Sequence, residues 1–127
     1  MFVDSSYWVA LADLDDQWHD RAVALRPQVR GEPIVLDLVV SESLSIVGSR
    51  LGGKAAQDLY GYFLDSCVLT YLDKGLLDDA MQRHLAHDGR LSVPDCATIE
   101  AMVRTGDRVI VSFDRDFDSV RGLHRIH

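Results

Sequence analysis

The run Val109-Ile-Val-Ser-Phe-Asp-Arg-Asp-Phe-Asp118 closes an apolar stretch with a serine and then sets aspartates at 114, 116 and 118. Carboxylates this close repel one another unless water or a cation lies among them, so the run is either a solvated loop or part of a hard-metal site. Three further acids raise the same question. Asp4 directly follows the apolar pair Phe2-Val3, Asp95 closes Ser92-Val-Pro-Asp95, and Glu42 stands between Val39 and Ile46 at helical spacing. Taken singly, most have an ordinary structural role: Asp4 as the cap of a helix opening at Ser5, Asp95 as the acid of a capping box, Asp114 as a turn starter. Glu42 fits such a role least well. The line Val39, Glu42, Ile46 faces inward or toward a crevice, and no lysine or arginine lies three or four positions away. Burying an unpaired carboxylate costs roughly several kcal/mol or forces it to take up a proton. Asp95 likewise leads into an apolar line, Ile99 and Met102. A shared metal removes the difficulty for all of them. Mg2+ and Mn2+ take oxygen ligands, and ions so held stabilise the charge of a phosphodiester and ease the loss of a proton from bound water.

Positioning these acids requires a particular arrangement of elements. Phe2-Val3 begins a very short strand, and the segment from Ser6 to Leu14 reads as helix. Trp18, Ala22, Leu25 and Val29 form the apolar stripe of a second helix. Pro33 to Leu36 is a buried strand, followed by a helix with the stripe Val40, Leu44, Val47 and Leu51 that stops at Gly52-Gly53. A helix near Lys54 to Leu64, a strand from Cys67 to Leu72, helices from Leu76 to His87 and Pro94 to Arg104, and a strand from Val109 to Ser112 complete the pattern, with Leu123 to Ile126 as a last edge strand. Short apolar strands alternating with helices predict an α/β fold, a three-layer α/β/α sandwich on a mostly parallel sheet of four to five strands. Ligands of such sheets bind beyond the carboxyl ends of the strands, near a reversal of strand order. Asp4 and Asp114 occupy those positions.

With 127 residues and no internal repeat or linker, a single domain spanning 1–127 is expected. The apolar content of 47% contains no stretch of roughly eighteen apolar residues that would span a bilayer. Asp4 interrupts the start before any export signal develops, and Cys67 and Cys96 form neither a CxxC pair nor a zinc pattern. These features point to reduced thiols in the cytoplasm, away from membranes. The net charge of −7 argues against binding nucleic acid through a broad basic surface. It does not argue against a nucleic-acid enzyme, because acids gathered at one site are neutralised locally by divalent cations.

The N-terminal FVDSS, DLVVSESLSIV with its glutamate, LSVPDC opening a late helix and VSFDRDF near the C-terminus resemble, in order and spacing, the PIN domain, and specifically the VapC-type toxin ribonucleases of toxin–antitoxin systems. That resemblance runs nearly end to end. Carried over residue by residue, it implies a catalytic set of Asp4, Glu42, Asp95 and Asp114, with Asp4, Asp95, Asp114 and the auxiliary Asp116 toward the metal. Ser6 and Ser112 fall where the family carries small hydroxyl residues. The resemblance further implies Mg2+ or Mn2+ as cofactor, RNA as substrate, a cognate antitoxin and a homodimer. Pro94 before Asp95 and the acidic net charge depart from the pattern.

Other assignments fare less well. A non-catalytic module with a PIN-like fold would use the acids only as caps. A receiver-like signalling domain would use Asp73, yet no acidic pair ends the first strand and no lysine follows Ser112. A calcium loop from Asp114 lacks its glycine at Ser119 and its closing acid at Arg125. His84 and His87 have metal-compatible spacing but also suit a helix end, His19 suits helix support, and Trp8 and Trp18 suit packing or base stacking. Arg50, Lys54, Arg104, Arg108 and Arg115 are candidate phosphate contacts.

Overall fold

The computed structural model describes residues 1–29 and 31–127. Strand β1 (Phe2–Val3) is short because Asp4 turns the chain at once into helix α1 (Ser5–Ala12), accepting a hydrogen bond from the Ser6 amide as its cap. Four successive residues of α1, Tyr7 to Ala10, are buried, as expected of a helix apolar all round. Helix α2 (His19–Leu25) leads to β2 (Ile34–Leu36), α3 (Asp37–Leu51) and α4 (Gly53–Ser66). Then come β3 (Val68–Thr70), α5 (Lys74–Ala86), α6 (Val93–Thr105), β4 (Val109–Val111), a 3-10 turn (Arg115–Ser119) and β5 (His124–Ile126).

The five strands form one sheet in the order β3-β2-β1-β4-β5, and every adjacent pair is parallel. This is the expected α/β architecture, with the edge strand β5 included. The chain moves outward from β1 through β2 to β3, then crosses back to β4 on the other side of β1. Right-handed crossovers therefore place α1 to α4 on one face and α5 and α6 on the other. The packing agrees: α1 meets α2 and α3, α3 meets α4, and α5 packs on α6. Strand order reverses between β1 and β4, where Phe2 pairs with Ile110 and Val3 with Val111.

Two helix ends follow the glycine expectation. Gly52 (φ +96°) closes α3 and Gly106 (φ +73°) closes α6, conformations that residues with a Cβ rarely adopt. Two stripes differ from expectation. On α3 the buried residues are Val39, Val40, Ser43 and Val47, while Leu51 is exposed. Ser43 hides in the apolar face because its hydroxyl donates to the Val39 carbonyl at 2.7 Å. On the second helix, Ala22 and Leu25 fill the inward face, whereas Trp18 lies outside the helix at its cap position and remains 39% exposed.

Candidate active site

Asp4 and Ser112 leave neighbouring strands at the point of reversal, and the Asp4 amide extends their pairing by donating to the Val111 carbonyl at 2.9 Å. Oδ2 of Asp4 accepts from the Ser6 hydroxyl at 2.7 Å, the Ser112 hydroxyl at 2.8 Å and the Ser6 amide at 3.3 Å. Both hydroxyls also accept, Ser6 from the Phe113 amide at 2.9 Å and Ser112 from the Asp114 amide at 3.0 Å. With each serine proton spent on Asp4, the 3.2 Å approach of the two hydroxyl oxygens is proximity, not a third bond. The clamp binds the start of the segment after β4 to the carboxylate after β1. Oδ1 of Asp4 keeps only a 3.5 Å contact with the Ser5 hydroxyl.

Asp114 caps the 3-10 turn, its Oδ1 accepting from the Asp116 amide at 2.8 Å. Asp95 stands in the first turn of α6, where its amide donates to the Ser92 hydroxyl at 3.2 Å. The Ser92 half of the expected capping box is thus in place, with Pro94 in the first turn, where a missing amide proton costs no helical bond. Glu42 projects from α3 and is exposed, not turned inward as its apolar line suggested. Asp4, Glu42, Asp95, Asp114 and Asp116 together line a cleft of about 540 Å³, whose walls also include Trp18, Arg50, Arg90 and Phe113.

The charges in this cleft oppose one another. Burial, followed by the neighbouring charge of Asp4, pushes the Asp95 carboxyl up to about 7; the Ser92 hydroxyl opposes the rise, while Asp114 and Glu42 add to it. Crowding by the cleft walls also raises the Glu42 carboxyl, with Asp4 the next cause, the Ser5 hydroxyl opposing it and Asp114 adding to it. Asp16 also lines the cleft and pairs there with Arg50, but Asp4, Glu42, Asp95, Asp114 and Asp116 belong to no ion pair among the described residues, although Asp13, Asp73, Asp79, Glu100, Asp107 and Asp118 all do. Oxygen donors gathered without a basic partner of their own, two of them, Asp95 and Glu42, with raised carboxyl pKa values, suit a hard divalent ion. Among the described residues, no three acidic, histidine or cysteine side chains already converge at coordinating distance of one point. The arrangement therefore suits an ion that keeps several waters and takes one or two carboxylates directly, as Mg2+ does.

Other candidates have structural partners. Nδ1 of His19 meets the Ala10 carbonyl at 2.8 Å, and that of His84 meets the Leu91 carbonyl at 2.7 Å. Asp73 caps α5, accepting from the Leu76 amide at 2.6 Å. Trp8 is wholly buried, packed edge-on against Phe63 with centroids 5.2 Å apart. Among the proposed phosphate contacts, Lys54 pairs with Asp58, Arg104 with Asp73 and Asp79, and Arg108 lines a separate hollow near Gly122. Only Arg50 reaches the cleft, where it is bonded to Asp13 at 3.1 Å and to Asp16 at 2.9 Å.

Two arginines escaped the sequence argument. Arg90 borders the cleft beside Gly89, in the loop just before Ser92. Arg125 donates to the Ser112 carbonyl at 3.1 Å and grips Asp118 through two 2.8 Å bonds, fastening the segment that carries Asp114. The alternation Asp114, Asp116, Asp118 held a clue to Arg125, since a third acid in the run needed a cation from elsewhere.

The chain matches the PIN domain family over residues 1–123. It is 28% identical over 123 residues to the 23S rRNA-specific endonuclease VapC20 of Mycobacterium tuberculosis, strain CDC 1551 / Oshkosh, covering 94% of this chain and 92% of that protein; the same figures hold for VapC20 of strain H37Rv. Its fold is similar to the crystal structure of Mycobacterium tuberculosis VapC20, described as a Sarcin-Ricin loop cleaving toxin, with a TM-score of 0.88 at 24% identity over 96% of this chain and 95% of the other.

Proposed function

The chain belongs to the PIN domain family, and on that premise we propose that it is a divalent-metal-dependent endoribonuclease, a single domain that acts in the cytoplasm as the toxin of a toxin–antitoxin pair. The observation that carries this proposal is the group of acids at the strand reversal that share one cleft and have no basic partner among the described residues. The similarity to the VapC20 endonucleases supports RNA as the substrate class.

Asp4, Asp95, Asp114 and Asp116 are assigned to hold Mg2+ or Mn2+, with Glu42 completing the catalytic set on the cleft wall. Bound there, the cation would stabilise the charge of the scissile phosphodiester and lower the pKa of a water. The serine clamp keeps Asp4 in one rotamer by occupying Oδ2, which leaves Oδ1 for the cleft. The Asp116 amide does the same for Asp114 through Oδ1. In the metal-free cleft Asp95, its carboxyl pushed up to about 7, is able to take or release a proton near neutrality, and burial raises the Glu42 carboxyl in the same direction. Arg90 and Arg50 are placed to meet phosphates that flank the cut.

The toxin assignment brings in a homodimer and a small antitoxin whose basic segment would enter the cleft, an arginine pairing with Glu42 or Asp114. Incubation of RNA with the purified protein and Mg2+ or Mn2+ tests the chemistry. Hydrolysis by water leaves a 5′-phosphate and a 3′-hydroxyl, and excess EDTA stops it. A 2′,3′-cyclic phosphate, or cleavage that survives EDTA, would reject the metal assignment in favour of metal-free acid–base catalysis.

A further inference from the structure

We propose that Trp18 is the platform on which an unpaired base of the RNA stacks, beside the phosphate held at the carboxylates; the proposal rests on the ribonuclease function above. Trp18 lies against Phe113 with ring centroids 5.2 Å apart and planes 7° from parallel, and both rings line the acidic cleft. Phe113 is nearly buried, whereas Trp18 is 39% exposed. One face of the indole is therefore supported by Phe113, and the side chain, partly exposed, borders the cleft.

The pair is fixed to the catalytic machinery at both ends. Phe113 separates Ser112 from Asp114 in the chain, and its amide donates to the Ser6 hydroxyl that holds Asp4. The Trp18 amide donates to Asp16 at 2.9 Å, and Asp16 is paired with Arg50 of α3. The ring is thus held in place before any ligand arrives. Core packing does not account for it, because Ala22 and Leu25 already fill the inward face of α2.

The charge balance explains why such a ring belongs here. A chain with net charge −7 gains little affinity for RNA from counterion release, and the acids of the cleft repel the phosphate backbone until a cation is bound. Stacking on a neutral aromatic face supplies affinity without charge, and because every base has a π-face it fixes position more than sequence. It requires a base free of its own helix, so the substrate is single-stranded or looped RNA at the cut.

The test measures binding and cleavage separately, with a fluorescein-labelled, short single-stranded oligoribonucleotide of mixed sequence and with copies carrying one abasic nucleotide at successive positions. Trp18→Leu should raise Kd and KM by about 5- to 150-fold, with kcat changed much less. Trp18→Phe should recover most of the loss. The factor should be nearly the same at low and high salt, unlike the loss of a phosphate contact. Wild type should be weakened by removal of the base at one position next to the cut, and Trp18→Leu should be indifferent to it. Unchanged Kd and KM in Trp18→Leu, or a loss confined to affinity for the antitoxin protein, would overturn the platform and leave the ribonuclease assignment standing. Binding with the expected Trp18 dependence but no metal-dependent cleavage would support the platform and overturn the ribonuclease. Failure of wild type to bind the oligoribonucleotide at all would overturn both.

Discussion

Asp114 and Asp118 lie in one short run of sequence and end in opposite electrostatic circumstances. Arg125 grips Asp118 through both carboxylate oxygens and holds its carboxyl below the ordinary value. Asp114 turns the other way, into a cleft where Asp95 is pushed up to about 7 by burial and by its acidic neighbours. The same contrast runs through the molecule. Away from the strand reversal, acids meet Arg50, Arg83, Arg104 or the chain's own amino terminus. At the reversal they meet hydroxyls, amides and one another. The chain supplies cations where an acid fastens two elements, and among the described residues the acids at the strand reversal have no such partner, which is the observation behind the proposed cation site.

Substitution at the two kinds of acid should separate them most sharply. Asp4→Asn preserves a good helix cap, so its melting temperature should stay near that of wild type, while cleavage of RNA should fall by at least about 100-fold. Asp114→Asn should behave alike. Asp118→Asn should leave cleavage within a few-fold of wild type. Parallel kinetics and thermal melts check this, and equal losses from Asp4→Asn and Asp118→Asn would erase the distinction between the two regions.

A smaller effect is expected where the regions touch. Arg125 both neutralises Asp118 and steadies the Ser112 carbonyl, so Arg125→Ala should cost about 1–3 kcal/mol of stability and reduce kcat roughly tenfold through misplacement of Asp114. Metal affinity should change less than kcat. A denaturant titration beside single-turnover cleavage measures both, and a stable variant with full activity would remove Arg125 from the positioning role.

Cleavage is not the readout for the last contrast, which is a pH dependence of the metal-free protein's stability. Asp95 has a carboxyl near 7 when folded against an ordinary value of 3.8, so between those values the folded state holds a proton that the unfolded state has lost. Stability is therefore greatest below about pH 4 as far as Asp95 is concerned and declines as pH rises through 7, by on the order of a few kcal/mol. Asp95→Asn should flatten that slope and raise the melting temperature at pH 8 by roughly 5–10 °C. Thermal melts across pH in EDTA decide it; identical slopes in the two proteins would place the strain elsewhere.

The backbone plan was legible because short apolar strands alternated with helices, and because Asp4 and Asp114 directly follow two of those strands. The strand-end rule led to the cleft without knowledge of the sheet order. Glu42 was legible from its spacing between Val39 and Ile46 without a local cation, although it lies exposed at the cleft and not inward. The buried face of α3 was read one position off because Ser43 is polar by type yet satisfied within the helix by Val39. Trp18 was read as part of a helical stripe because spacing alone cannot tell that the chain enters α2 only at His19. Arg90 lay beyond sequence reasoning, and the acidic run signalled only that Asp118 needed a cation, not that Arg125 supplies it, since each arginine acquires its role from a neighbour brought in by the fold.

Titration of Mn2+ into the metal-free protein by calorimetry near pH 6.5, repeated in buffers of different ionisation enthalpy, tests most directly whether the unpaired acids are kept for a cation. Wild type should bind and release protons on binding, because Asp95 must give up its proton as the cation arrives, and Asp4→Asn should lose at least about tenfold in affinity. Binding in Asp4→Asn as tight as in wild type, with no proton released by either, would contradict the account.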